Sequence, residues 1–415
     1  MQLDDFIEDF QRDEAAEKRR LAEEKSYEIT NYLDEVEHQF EQAVSGDSMF
    51  GATAPEIFVG RSSYPNVSTG VLSPVTDGDA ADFATSGQWY QQGLGVGDVL
   101  QRRTGLLNST RSANVDVRDV WDGFVGVQRE VAIADHPVDV EVGLDSEPDL
   151  DLSLDDVGAP TGPRASARSA DLAENPHVPR PVKKTLNDDD WQAEGAMSYL
   201  YRRGFDVYDI NTILSAGALG RGQDRRLVPT RWSITAVDDT VGQFVRGGIR
   251  NAPSINGTEV HYNEYMGNRY WVVLTPGQWE FELVEMKAPE SVWNPAGEAY
   301  YLASAHEGYE GRTGYVEETA GAYYASRLGV LEHLKDRGRQ AKCLVLREVT
   351  DDYWAPVGVW QVREGVRNAF EGEHGESETF RDAVTQITQQ LPVSLGALRR
   401  KSEMVAGLQA KLSDF

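Results

Sequence analysis

The chain has 415 residues, with 68 acidic against 40 basic side chains and a formal net charge of −28. That length buries a sizeable core in one or two domains, and nine Trp and 17 Tyr among periodic apolar segments exclude a disordered acidic chain. The single cysteine, Cys343, excludes an internal disulfide and a Cys-type zinc site.

Such an acid excess repels itself unless salt screens it. At molar salt the screening length falls to about 3 Å. Only nine of the basic residues are Lys, so an acidic, Arg-rich, well-patterned chain reads as a protein of a salt-loving cell. The same field repels phosphate, so nucleic acid has to be met at a local basic spot. No apolar run reaches membrane-spanning length and no signal peptide opens the chain, which predicts a cytoplasmic protein without a membrane partner.

Residues 1–44 lack Pro and Gly. Leu3, Phe6, Ile7 and Phe10 share one helical face, and Tyr32, Leu33, Val36 and Phe40 another, predicting one or two surface helices. Pro55 to Arg61 predicts a short buried strand entering a turn, which Ser62 to Pro65 continue before Val67 to Leu72 return. Arg61, beside Gly60 and hydroxyl residues, suits an anion or equally caps its own hairpin. Trp89 to Leu107 is helical in part, and Phe124 to Ala134 reads as a strand. Val138, Val140, Val142 and Leu144 alternate with Asp139, Glu141 and Gly143 as in a half-exposed edge strand.

The composition breaks at 147–187, acidic and then rich in Pro, Ser, Ala and Gly, which predicts a linker or long surface insertion. Asn187 to Asp190 then start a helix through Tyr201. Next comes a Gly-Arg loop, Leu219 to Arg226, feeding a predicted strand from Thr230 to Thr235. Arg221, Arg225, Arg226 and Arg231, with Arg61, are the candidates for phosphate or nucleotide binding, which needs forked donors and close backbone approach. Arginines so placed equally neutralise nearby carboxylates.

Glu259 to Tyr265, Arg269 to Thr275 and Trp279 to Lys287 read as an antiparallel meander carrying His261, Glu282, Glu285 and Lys287. Glu285-Met286-Lys287 is similar to the Glu-x-Lys of metal-dependent nucleases, where the acid holds Mg²⁺ and the Lys polarises phosphate. These four residues are the catalytic candidates, although Glu282 and Glu285 fall on opposite strand faces. Thr313 to Arg337 predicts a long helix, Cys343 to Val349 a strand, and Val357 to Glu364 a strand running into a helix. Helices from Ser377 to Gln390 and Leu395 to Leu408 close the chain. The seven histidines are scattered and none pairs at ligand spacing, so no metal site is predicted.

The final seven residues are Gln409, Ala410, Lys411, Leu412, Ser413, Asp414 and Phe415. A glutamine, an aliphatic three residues on and an aromatic three further on is the pattern that docks on sliding clamps. In a turn of three residues these side chains eclipse, so Leu412 and Phe415 form one apolar plug below the Gln409 amide. A buried aromatic anchor of this kind carries much of an interface's affinity. The other reading is a terminal helix that stops on a Phe, and the usual pattern ends in two aromatics where this one has a single ring.

Composition and pattern together predict an α+β chain, an antiparallel sheet meander with peripheral helices, in one large or two associated lobes. The predicted divisions are a helical arm (1–44), an α/β lobe (45–146), the linker or insertion (147–187), an α+β lobe (188–394) and a terminal helix with the docking peptide (395–415).

Three blocks carry a resemblance. They are Phe58-Val59-Gly60-Arg61 with Tyr64-Pro65, then Gly217 to Arg221 through Val228 to Ser233, and Gly358-Val359-Trp360-Gln361-Val362-Arg363-Glu364. Together they resemble the archaeal Nre DNA-repair family. The resemblance implies a role in repairing DNA damage through binding the archaeal sliding clamp, PCNA, by a terminal peptide that maps onto Gln409, Leu412 and Phe415. Many relatives carry a four-cysteine zinc finger, which a chain with Cys343 alone lacks. The alternative function is a metal-dependent phosphohydrolase or nuclease acting on nucleotides or nucleic acid. Its site draws on Arg61, Arg221, Arg225, Arg231, Glu282 and Glu285, and only this alternative calls for a divalent metal.

Overall fold

A computed structural model describes residues 44–45, 47–76, 78–150 and 153–408. The predicted helical arm lies outside these residues except for Val44, and Gln409 to Phe415 lie outside them altogether. The fold is α+β in two units, 44–241 with 356–360, and 242–355 with 361–408. The break near 241 falls inside the helix Thr230–Ile249 and not at the composition change near 187. Among the described residues no helix is long and apolar enough to cross a membrane.

In the first unit β1 (Val44–Ser45), β2 (Ser48–Thr53), β3 (Ile57–Val59), β4 (Asn66–Pro74), β5 (Leu106–Asn114), β6 (Val138–Leu144) and β7 (Arg164–Leu172) form one sheet. Its order is β1-β2-β6-β7-β5-β4-β3, antiparallel except between β5 and β7. The β3–β4 hairpin stands where the sequence placed it, with Val59 opposite Thr69. The strand at 138–144 is not an edge, because β2 pairs with one side and β7 with the other.

The acidic, Pro- and Ser-rich stretch is no linker, since it supplies the central strand β7 and the helix Arg180–Leu186. Alternation in the first half of β7 is carried by small residues: Ala165 and Ala167 are buried between the exposed Arg164, Ser166 and Arg168, and after a register shift against β6 the next buried residue is Ala170. Gly162, just before it, lies so close to the turn after helix Val96–Thr104 that an added Cβ would sit 1.8 Å from the Arg103 carbonyl oxygen.

Phe124 to Ala134 is a helix, Gly123–Ile133, and not a strand. Its β-branched residues suggest a strand, but its two buried polar side chains decide the matter. Gln128 accepts from Thr69 Oγ1 at 2.7 Å and donates to the Phe58 and Gly70 carbonyls at 3.2 Å. Arg129 is fully buried and donates only to carbonyls, among them Ala216 at 3.1 Å and Val117 at 2.8 Å, while lying over the Trp121 ring. Burial drops the Arg129 guanidinium to about 10. Two adjacent residues reaching different carbonyl groups of the interior suit a helix face, whereas strand neighbours point to opposite sides of a sheet. The segment after Pro229 is likewise the helix Thr230–Ile249 and not a strand, with Ser233 N–H donating to the Pro229 carbonyl at 3.0 Å.

Residues 356–360 pack on residues 157–159 of the acidic, Pro- and Ser-rich stretch. Val359 N–H donates to Val157 O at 2.9 Å. Gly358 takes a positive φ of 95°, and a Cβ there would meet the Gly158 carbonyl at 2.7 Å. The predicted strand at 357 is this close passage, and the helix Trp360–Ala369 follows it.

The second unit holds β8 (Thr258–Tyr265), β9 (Asn268–Thr275), β10 (Glu280–Lys287), β11 (Tyr301–Glu307), β12 (Lys342–Val349) and β13 (Gly375–Ser377), in the order β11-β10-β12-β9-β8-β13. The meander is interrupted, because β12 enters between β9 and β10 and runs parallel to β10. β10 and β12 are buried along almost their whole length, as strands covered on both faces are. On one face Val284, Met286, Leu344 and Leu346 pack with Ala383, Val384, Ile387, Leu398, Met404 and Val405 of the C-terminal helices. On the other, Phe281 meets Tyr323 of the helix Ala320–Asp336, ring centroids 5.2 Å apart. That helix starts seven residues later than its predicted Thr313.

Candidate functional site

The C-terminal helices end at the root of the predicted docking peptide, and the way they are fixed is the clearest polar construction in this unit. The predicted helix from Leu395 to Leu408 is two short ones, Leu395–Lys401 and Glu403–Ala406, hinged at Ser402. Ser402 is a good N-cap, since its hydroxyl accepts from Val405 N–H at 3.0 Å. The same hydroxyl donates to Glu282 Oε2 at 2.6 Å. Glu282 also accepts from Met404 N–H at 2.9 Å and Glu403 N–H at 2.8 Å, so one buried carboxylate holds the first turn of the last helix. Burial pushes the Glu282 carboxyl up from its ordinary value, against these three donors, which pull it down.

Around that centre sit further ties. His306 lies 3.0 Å from Glu280 and 3.2 Å from Glu403, and the Glu280 hydrogen bond holds its imidazole above the usual histidine range. Lys401 pairs with Glu318 at 2.8 Å, and Ser304 Oγ donates to Lys401 O at 3.0 Å. Leu408 packs against the same apolar cluster as Met404 and Val405, directly before Gln409.

Glu282 therefore anchors a helix, and its proposed partners lie elsewhere. Glu285, on the opposite face, forms a buried ion pair with Arg347, and Lys287 stands 3.8 Å from Glu285. His261 belongs to a separate group with Glu259, His333 and His374. The four catalytic candidates do not converge.

The arginine candidates divide in the same way. Arg225 is buried and donates to the carbonyls of Gly220, Thr185 and Leu186. Arg231 donates to Asp155 at 2.7 Å and Asp156 at 2.5 Å, the neutralising role that its acidic surroundings suggested. Burial acts to raise Asp155, but Arg231 and the N–H groups of Gly158 and Val157 hold it below the ordinary carboxylate value. Arg61, Arg221 and Arg226 are exposed. The Arg61 hairpin does meet the start of the Arg231 helix. Val59 N–H donates to Thr230 Oγ1 at 2.9 Å, and the exposed rings of Tyr64 and Trp232 lie 5.6 Å apart.

The signal that sequence reasoning missed is Glu259-x-His261 on a strand, where the two side chains share a face. Their partners come from a helix and a loop more than 70 residues away, too remote for any spacing rule. Burial first, then the neighbouring His261 and Arg337, drop the His333 imidazole to about 4.

Residues 21–294 match the model described as Archaeal Nre, N-terminal, and residues 307–415 match Archaeal Nre, C-terminal. The chain belongs to the archaeal Nre family. Among Nre relatives, a Haloferax volcanii protein named DNA repair protein NreA is 67% identical over 420 residues, covering 100% of both chains. Archaeoglobus fulgidus proteins named DNA repair protein NreA and DNA repair protein NreB are 37% and 35% identical, over 85% and 88% of this chain and 88% and 92% of their own lengths. No solved structure matches this Nre chain.

Proposed function

We propose that this Nre protein is a DNA-repair factor brought to its site by docking Gln409, Leu412 and Phe415 on the archaeal sliding clamp, PCNA. The repair role rests on relatives at 67%, 37% and 35% identity that bear the name of DNA repair proteins. The recruitment route rests on one observation: the clamp-docking spacing follows directly on a helix whose first turn is fastened to β10 by Glu282. A peptide that starts from a fixed root explores less space before it binds, which lowers the ordering cost of docking. Apolar seating also suits a molar-salt cytoplasm, where charge-driven binding is screened. The test is a pulldown with purified clamp in molar KCl, comparing the full chain with one ending at Leu408. The full chain is retained and the shortened chain is not; equal retention rejects the route.

A further inference from the structure

Two groups among the described residues have the donor set of a metal centre. Asp135, His136 and His177 are exposed, and Asp135 already bonds both imidazoles. Glu259, His261 and His333 are mostly enclosed and are built differently. Glu259 and His261 share one face of β8, and His333 reaches them from the helix Ala320–Asp336.

One ligand atom from each lies within 4.8 Å of the other two, and His261 Nε2 is 3.4 Å from Glu259 Oε2. Zinc bonds of about 2.0–2.1 Å in a tetrahedron set ligand atoms roughly 3.4 Å apart, so closing the group takes an inward shift of roughly 1 Å. The His261 side chain is 3% exposed, and its Nδ1 has no hydrogen-bond partner among the described residues. A buried ring nitrogen left over in this way is uncommon. Phe370 stacks on His333 at 3.9 Å and approaches His261 at 4.8 Å, walling the group with an apolar surface. His374 stands beside it, 5.2 Å from His261 ring to ring.

A cation already sits among these atoms. Arg337 Nη1 is 2.5 Å from Glu259 Oε2 and 3.4 Å from His333 Nε2. The Arg337 side chain is 36% exposed and lines, with Arg339 and Glu376, a cavity of about 380 Å³. It therefore has room to leave. We propose that Glu259, His261 and His333 bind a divalent transition-metal ion of the zinc class, which displaces the Arg337 guanidinium. Two imidazoles and one carboxylate suit a borderline-soft ion better than Mg²⁺ or Ca²⁺.

The test uses the full chain, stripped with chelator and titrated with zinc chloride in molar KCl by calorimetry. One equivalent binds to the native chain and to His177→Gln. His333→Gln weakens that binding about a hundredfold, and Arg337→Ala tightens it about tenfold by removing the competing cation. A purely structural Arg337–Glu259 bridge gives no such tightening. Circular dichroism checks that His333→Gln folds, and should it not, the Arg337→Ala comparison decides alone. Absence of a bound equivalent in both the native chain and Arg337→Ala overturns the proposal. So does an equivalent that survives His333→Gln and disappears with His177→Gln.

Discussion

Removing the carboxylate that fastens the last helix, by Glu282→Ala, tests the root of the proposed docking peptide. The substitution strips an acceptor from Ser402 Oγ, Met404 N–H and Glu403 N–H. The Ser402 and Met404 groups are buried, and each orphaned buried donor costs about 1–3 kcal/mol. Glu403 N–H is only partly buried, so water can replace its partner. Against these costs stands the relief of no longer holding a carboxylate in the interior. The net loss is about 2–3 kcal/mol, confined to the segment that Glu282 holds, which corresponds to a local opening equilibrium about 30- to 140-fold larger at about 1.4 kcal/mol per tenfold. Native-state amide exchange in molar KCl reads this directly. The Met404 and Val405 amides lose protection, while Leu344 and Leu346 in β12 keep theirs. Unchanged exchange at 404 and 405, or an equal change in β12, would refute the reasoning.

Three other outcomes follow from the same structure. His306 is held above its ordinary 6.5 mainly by Glu280, so its stabilisation is complete below that value and is lost as pH rises through the folded one. Protection at Glu403 should therefore fall on the alkaline side, and His306→Gln should flatten that dependence. Glu280, held down to about 2 first by His306 and then by Lys342, contributes stability that is present above 4.5 and lost as pH falls towards 2. Acid melting of Glu280→Gln should lose its slope in that window. Gly162→Ala drives a Cβ into the carbonyl oxygens of Arg103 and Leu106, at 1.8 and 2.7 Å, and should cost about 3 kcal/mol in thermal unfolding. A mobile linker would absorb the same change with no shift in Tm.

Much of the fold was legible where one face of an element is apolar and the other is not. The β3–β4 hairpin, the alternation of Val138 to Leu144 and the buried run from Cys343 to Val349 all declared themselves by period. The errors share a cause. β7 hides because its buried residues are alanines, which give little hydrophobic contrast, and because a register shift breaks their period between Ala167 and Ala170. Gly123–Ile133 misleads because Val125, Val127, Val131 and Ile133 favour strands, while Gln128 and Arg129 look like surface residues until their carbonyl partners are seen. Local propensity yields there to tertiary contact. Site residues were harder still. Glu282 looked catalytic because an acid on a strand says nothing of its partners, and those partners lie 120 residues away at Ser402. The Glu259, His261 and His333 group is equally a product of folding.

The most direct measurement of the account is the affinity of the full chain for PCNA before and after Phe415→Ala, by calorimetry in molar KCl. Loss of the aromatic anchor should weaken binding by about 2 kcal/mol, near 30-fold, with the body's melting temperature unchanged. Binding of equal strength in the variant would contradict recruitment through the carboxyl-terminal peptide.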